Sequence, residues 1–301
     1  MVYHSGSNDR GTRMNQKHAV FAKFAAILAA LWVSSDAAQA FDQSKYPDWH
    51  GQWLRGVPPS RDGEPGTFDP GKPRRGQNPP LTPEYQAVYE ATLKDQDEGG
   101  QGGDPTYTCL SPGMPRVMNL YEPMEFVITP EATHILTQHI YDARRIFTDG
   151  RSFPTDADPA FLGYSIGEWF DTSGNGRYDE LRIETRNLRN PRTYDATGIP
   201  FHTDGQTVIK ERIFADKTNP NLLYDEITTY DHALTRPWTV MKRYVRNPNP
   251  RPLWRETVCA EANPHLEIAG QGYMLSADGL LMPTRRGQAP PDLRYFKQQQ
   301  K

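Results

Sequence analysis

The sequence predicts a mainly β protein whose strands form one antiparallel meander that closes into a barrel or a two-sheet sandwich. Three observations support this prediction. Glycine and proline are abundant, with 24 and 27 copies in 301 residues, so long helices are scarce. Short runs of strand-forming residues recur between Pro, Gly, Asn or Asp. Several runs alternate apolar and polar residues, as half-buried strands do. Because the connections are short, the strands favour antiparallel pairing.

The ten predicted strands lie between residues 117 and 259, and a later hairpin turn is predicted at Ser276–Gly279. The strands are Val117–Tyr121, Glu125–Thr129, His134–Tyr141, Arg144–Thr148, Tyr164–Phe170, Asp179–Arg186, Val208–Phe214, Leu222–Tyr230, Thr239–Val245 and Leu253–Cys259.

The N-terminal segment reads as a targeting signal. Lys17 and Lys23 precede a short apolar run, and the small residues Ala38-Gln39-Ala40 follow it. This pattern predicts a signal peptide over residues 1–40, cleaved after Ala40, and a periplasmic or secreted mature protein. An uncleaved membrane anchor is the alternative. The apolar run is shorter than the roughly 20 residues that a membrane-spanning helix needs, and no later run approaches that length, so no membrane span is expected in the mature chain.

Three further segments follow the signal. Residues 41–114 are proline-rich and irregular, with one helix expected at about 83–95, where Thr82 is a suitable N-cap and Gly99 ends the run. Residues 115–283 form the β domain, and residues 284–301 form a polar tail.

Charge and motif content exclude several functions. The formal net charge is −3, so the chain has no basic excess to bind nucleic acid. No dinucleotide or phosphate-binding glycine motif is present. No two histidines have the spacing of a local zinc site, and no cofactor is expected to be required. The two cysteines, Cys109 and Cys259, are most simply paired in an oxidising compartment, although a reactive thiol or a metal ligand are the alternatives.

One loop has the oxygen spacing of a calcium site. Its candidate ligands are the side chains of Asp171, Ser173, Asn175 and Asp179 and the carbonyl of Arg177, with Gly176 at the tight turn. Since only two of these side chains are carboxylates, any calcium affinity should be weak. A plain hairpin loop without an ion is the alternative.

Two stretches combine side chains that can exchange protons, donate hydrogen bonds or stack on a ligand. In the first, His139 and Tyr141 are candidate acid–base residues, and Arg145 and Arg151 are candidate ligand-binding residues. In the second, Asp231 could orient His232 as an acid–base pair.

The second stretch also holds Arg236, a candidate anion-binding residue, and Trp238, a candidate apolar wall. These four residues are expected to border a ligand cavity. The alternative for both stretches is structural: aspartates capping turns, arginines in ion pairs and Trp238 in the core.

Several motifs together resemble those of a large, largely uncharacterised family of secreted bacterial β-rich proteins. They are Cys109-x-x-x-Gly-x-Pro-Arg116, Arg144-Arg-Ile-x-Thr-Asp-Gly-Arg151, Gly163-x-Ser-x-Gly-Glu-Trp169, the Asp171 loop, Thr235-Arg-Pro-Trp238 and Glu256-x-x-Cys259. The resemblance covers about residues 41–296. It implies export and a lipocalin-like barrel, and it carries over no catalytic residues.

These observations favour an exported protein that encloses a small, largely apolar or aromatic ligand. A cofactor-independent lyase, hydratase or hydrolase that uses the His/Asp pair is the second hypothesis. An envelope scaffold, with the proline-rich segment as its interaction surface, is the third. The oligomeric state does not follow from the sequence.

Overall fold

Nine strands close into a barrel in the part of the chain that the computed structural model describes. That part comprises Met1 and residues 41–56, 78–119, 122–138, 143–256, 258–259, 264–276 and 278–292. Residues 2–40 of the predicted signal therefore lie outside it. Two compact units are distinguished, Met1–Asp42 and Gln43–Lys301, and the barrel belongs to the second.

The barrel strands follow one another in chain order, and β9 pairs back with β1 to close the sheet. A separate three-stranded sheet follows, and one α-helix precedes β2. The strands are β1 (Gln52–Arg55), β2 (Met124–Ile128), β3 (Ala132–Thr137), β4 (Ala143–Phe147), β5 (Tyr164–Phe170), β6 (Glu180–Arg186), β7 (Val208–Ala215), β8 (Leu222–Tyr230), β9 (Trp238–Arg246), β10 (His265–Ile268), β11 (Gln271–Leu275) and β12 (Leu281–Pro283), and the helix is α1 (Pro83–Asp97). Short 3-10 helices cover Gln43–Lys45, Pro105–Thr108 and Arg116–Asn119.

The barrel is mixed rather than wholly antiparallel. Strands β4 and β5 pair in parallel, with Ile146 opposite Ser165. A parallel pair cannot be joined by a tight hairpin. The connecting residues 148–163 therefore cross over, and this long connection is what the expectation of a simple antiparallel meander missed.

The predicted barrel is confirmed, with local differences at its ends. Tyr164–Phe170 and Leu222–Tyr230 have the predicted bounds. Strand β1 lies in the segment that was expected to be irregular. Residues 116–119 form a 3-10 helix instead of a strand, and no strand covers the described residues of 253–259. The late hairpin is present, since the Ser276 N–H donates to the Leu280 carbonyl between β11 and β12.

Two hydrophobic clusters hold the fold together. The larger fills the barrel and includes Trp53, Ile135 and Leu181, all fully buried. The smaller lies under α1, where Tyr89 and Leu93 pack with Tyr194 and Trp238. Thr82 caps α1 by accepting from the Tyr85 N–H, as the sequence predicts.

The predicted disulfide is present. Cys109 and Cys259 are bonded, and their Cα atoms lie 5.6 Å apart. The bridge ties the 3-10 helix at Pro105–Thr108 to the segment after β9, 150 residues along the chain.

Candidate functional site

A groove of about 900 Å³ lies on the outer face of the barrel, over β5 to β8. This volume falls in the range of small-molecule sites. The groove exists because strand alternation divides the side chains between two faces. Along β6, Leu181 and Ile183 point into the core, whereas Arg182 and Glu184 point outward. Residues of the segment 148–153, which begins the crossover from β4 to β5, also line the groove.

Aromatic and basic side chains make up much of the groove lining. The aromatic ones include Tyr46, Phe153, Phe170 and Tyr178, and the basic ones are Arg151, Arg182, Lys210 and Arg212. Glu168, Glu184 and Glu226 line it as well. This mixture of flat apolar surface and fixed charge suits a ligand that has both characters.

Guanidinium groups stack on aromatic rings at this face. The guanidinium carbon of Arg182 lies 4.0 Å from the ring centroid of Phe170, and that of Arg151 lies 3.8 Å from that of Phe147. Both distances are within the range of cation–π attraction. Of these four residues, Arg151, Arg182 and Phe170 line the groove, so cationic groups and an aromatic ring both face a ligand there.

A buried carboxylate holds two of these arginines in place. Glu180 accepts from Arg182 Nε at 2.5 Å and from Arg212 Nη2 at 2.7 Å. Burial raises the pKa of Glu180, but the two guanidinium groups more than offset this and leave the pKa below its usual value. Within the described residues, the terminal nitrogens of Arg182 have no hydrogen-bond partner, so they are available to a ligand.

Asp231, directly after β8, joins two loops through its carboxylate. Its Oδ1 accepts from the backbone N–H groups of His202 and Ala233, at 2.9 and 2.8 Å. Its Oδ2 accepts from the Thr207 hydroxyl and lies 3.9 Å from Arg192. Asp231 thereby ties the 201–207 loop to the loop after β8.

The structure gives His232 a different carboxylate from the one that the sequence suggested. His232 Nδ1 lies 2.5 Å from Asp204 Oδ2, while the Asp231 carboxylate is occupied by backbone groups. The His232 side chain is 68% exposed. His232 is thus an accessible histidine with an oriented ring, but not through its neighbour in sequence.

Trp238 and Arg236 do not form the expected pocket. Trp238 is 1% exposed and packs on Tyr194, with ring centroids 4.3 Å apart. Arg236 is exposed, and neither residue lines the groove. Trp238 therefore belongs to the core under α1, as the alternative to a cavity wall had it.

Arg151 is the residue of the first stretch that reaches the groove. Arg145 lies on the outer face of β4, opposite His134 on β3. The candidate acid–base residues His139 and Tyr141 lie outside the described residues.

The loop from Asp171 to Asp179 folds around its own carboxylates. Asp171 accepts from the N–H groups of Asn175 and Gly176, and Asp179 accepts from the N–H and the hydroxyl of Thr172. Ser173, Asn175 and Arg177 are exposed around them. These hydrogen bonds stabilise the loop without an ion, so weak calcium binding stays a prediction.

Sequence reasoning missed a group of charges inside the barrel. Arg144 and Glu211 form a buried bidentate ion pair, with Nη1 and Oε1 2.8 Å apart. Asp225 and Lys242 are directly opposite each other on β8 and β9. The sequence does hold a signal: each of these residues occupies the inward phase of a strand whose other inward residues are mostly apolar.

Burial strongly affects ionisation in this group. Burial, and then the charge of Glu211, raises the pKa of Asp225 well above its usual value. Burial lowers the pKa of Lys242 to about 7, and Arg55 adds to this. The Lys242 ammonium or amine lies 3.1 Å from Asn119 Oδ1, in the 3-10 helix that packs against the barrel interior.

Comparison with known proteins adds no family assignment: no family model and no curated protein matches the chain. Among the helices of the described residues, none has both the length and the apolar composition that crossing a bilayer requires. The part of the chain that the structure describes defines the class: a closed, mainly β barrel with one α-helix and a second small sheet.

Proposed function

We propose that the protein is an exported binding protein for a small, planar, largely aromatic ligand that carries an acidic group. The single observation that carries the proposal is the outer groove of about 900 Å³, which is lined by both aromatic rings and arginines and in which the Arg182 guanidinium lies over the Phe170 ring. This proposal keeps the aromatic ligand class expected from the sequence and moves its site from the barrel interior to the outer face.

Two properties of the groove support this ligand class. A planar ring can stack on Phe170 or on the guanidinium plane of Arg182. A carboxylate or phenolate can then accept hydrogen bonds from the terminal nitrogens of Arg182. Charge-assisted hydrogen bonds of this kind contribute about 1.5–3 kcal/mol each. Export is supported by the signal pattern of residues 1–40 and by the disulfide, and membership of the family that the motifs resemble is part of the same proposal.

A pair of fluorescent probes tests the proposal. Anilinonaphthalene sulfonate supplies the rings and an anionic group, and N-phenyl-1-naphthylamine supplies the same rings without the charge. We expect the anionic probe to bind more tightly, and Phe170→Ala to weaken both probes. Arg182→Ala should weaken the anionic probe about tenfold or more and remove the preference.

The matched control is Arg189→Ala. Arg189 also lies over an aromatic ring, that of Phe161 at 5.2 Å, but it does not line the groove. Its affinities should equal those of the wild type. Equal affinity of wild type, Phe170→Ala and Arg182→Ala for the anionic probe would contradict the proposal. Independently of the probes, native mass spectrometry of protein purified from its own compartment would identify a ligand that it retains.

An interaction role is the second candidate, and the small sheet favours it. Met274 and Met282 are cross-strand neighbours on β11 and β12, and both are exposed, as is Leu275. Exposed apolar side chains grouped on one element are typical of contact surfaces. Sedimentation of Met282→Asp beside the wild type distinguishes the roles, because loss of self-association with unchanged probe binding assigns this sheet to an interface.

A further inference from the structure

We propose that His202, Asp204 and His232 bind a divalent transition-metal ion of the Zn²⁺ type at the end of β8. The three side chains come from two loops: His202 and Asp204 precede β7, and His232 follows β8. Among the described residues, they form a group in which one ligand atom from each lies within 4.8 Å of the others.

The distances suit one ion between the three groups. Asp204 Oδ2 lies 2.5 Å from His232 Nδ1 and 3.1 Å from His202 Nδ1. In a tetrahedral zinc site with bonds of about 2.0–2.1 Å, ligand atoms are about 3.3 Å apart. Side-chain rotations that move these atoms by a few tenths of an ångström to about one ångström would therefore bring all three to ligand positions.

Binding of an ion would replace two hydrogen bonds within the group. His232 Nδ1 and Asp204 Oδ2, 2.5 Å apart, share a proton that the ion would displace. His202 Nδ1 accepts from the Asp204 N–H over 3.2 Å, so it is unprotonated, and its lone pair would turn from this N–H to the ion. The same Nδ1 faces a carboxylate oxygen of Asp204 at 3.1 Å. Two acceptors at this separation repel each other, and a cation between them turns the repulsion into two bonds.

Contacts around the group hold Asp204 and the two loops in place. The Gln206 N–H donates to Asp204 Oδ1, which leaves Oδ2 toward the two histidines. Asp231 accepts from the backbone of His202 and of Ala233, so it fixes the separation of the two loops. Such outer contacts orient metal ligands in known sites.

The ligand set and the exposure define the class of ion. Two imidazoles and one carboxylate suit Zn²⁺ and neighbouring transition ions, whereas Ca²⁺ and Mg²⁺ prefer six or more oxygen ligands. Three protein ligands leave a fourth position for water or for a donor group of a bound molecule. Since His232 is 68% exposed, solvent reaches that position.

Calorimetric titration with ZnCl₂ tests the proposal on tag-free, chelator-treated protein. The wild type should bind one Zn²⁺ per chain at this site. His232→Ala and Asp204→Asn should each weaken that binding at least about tenfold, comparable to the loss seen on disturbing metal sites. Co²⁺ should give a visible absorption band in the wild type that His232→Ala lacks, and Mg²⁺ should not compete.

The matched control is His50→Ala. His50 Nδ1 lies 2.8 Å from Asp48 Oδ1, and both side chains are exposed. Among the described residues, this pair does not belong to a group of three possible metal ligands. His50→Ala should bind Zn²⁺ as the wild type does, and melting curves in chelator should show all variants folded. No uptake of Zn²⁺ by the wild type, or equal uptake by wild type, His232→Ala and Asp204→Asn, would overturn the proposal.

Discussion

Lys242 places an ionisable amine inside the barrel, where its charged form is disfavoured. Its pKa in the folded protein is lowered to about 7, mainly by burial, whereas an exposed lysine has a pKa of about 10.4. Between these two values the unfolded chain binds one more proton than the folded one. The contribution of Lys242 to the free energy of unfolding therefore rises with pH through this window.

Lys242→Met tests this dependence. The free energy of unfolding of the wild type, taken relative to Lys242→Met, should increase from about pH 7 to about pH 10 by an amount on the order of a few kcal/mol. Urea unfolding across this pH range measures it. Lys210→Met, which removes an exposed lysine on the outer face, should give a nearly constant difference. A constant difference for Lys242→Met as well would show that the amine is solvated.

The residues of the candidate sites were only partly predictable. Arg151, one of the candidate ligand-binding residues, lines the groove, and its binding role stays a prediction. The partner of His232 was not predictable, because Asp204 lies 28 positions away and only folding brings the two loops together. For the same reason, searching for closely spaced histidines did not find the pair His202 and His232.

At the scale of elements, the loop between β5 and β6 has the oxygen spacing of a calcium site, but its own hydrogen bonds already engage its carboxylates. The carboxylates of Asp171 and Asp179 are already engaged by N–H and hydroxyl groups of the loop. An ion would have to compete with these bonds. We therefore expect calcium affinity in the weak range of about 10⁻⁴–10⁻³ M.

Melting curves in excess calcium and in chelator measure this effect. At a hundredfold excess over Kd, calcium would stabilise the wild type by about 2.7 kcal/mol, and Asp171→Ala should abolish the shift. Asp216→Ala is the control, since Asp216 also accepts from turn N–H groups, those of Thr218 and Asn219, outside the calcium pattern. A wild type that melts at the same temperature in both solutions would show a hairpin loop that binds no calcium.

The elements themselves show where sequence patterns succeed. Strands β5 and β8 were predicted to the residue because turn-forming glycine, asparagine or aspartate residues directly flank each run. Strand β1 has only four residues, too few for a clear period. Residues 117–119 were misassigned because the apolar pair Val117-Met118 resembles the start of a buried strand, whereas these side chains pack into the core from a 3-10 helix.

At the scale of the whole molecule, the charges inside the barrel show why its interior is an unsuitable site for an apolar ligand. Arg144 and Glu211 use the interior space and satisfy each other there. Removing one partner of such a buried pair leaves the other charge buried without a counter-charge, which strongly destabilises the folded protein. We therefore place the proposed sites on the outer face of the barrel and at its strand ends, not in its interior.

The disulfide is the covalent link of that scaffold, and its removal should destabilise the whole fold. It closes a loop of 150 residues that contains eight of the nine barrel strands. In the chain-entropy account, a loop of this length restricts the unfolded chain by about 5 kcal/mol. The double variant Cys109→Ser/Cys259→Ser should therefore lose up to this amount of unfolding free energy, and reductant should lower the stability of the wild type but not that of the variant. Urea unfolding with and without reductant measures both effects. Equal stability of oxidised wild type and double variant would show that the barrel reaches its full stability without the bridge.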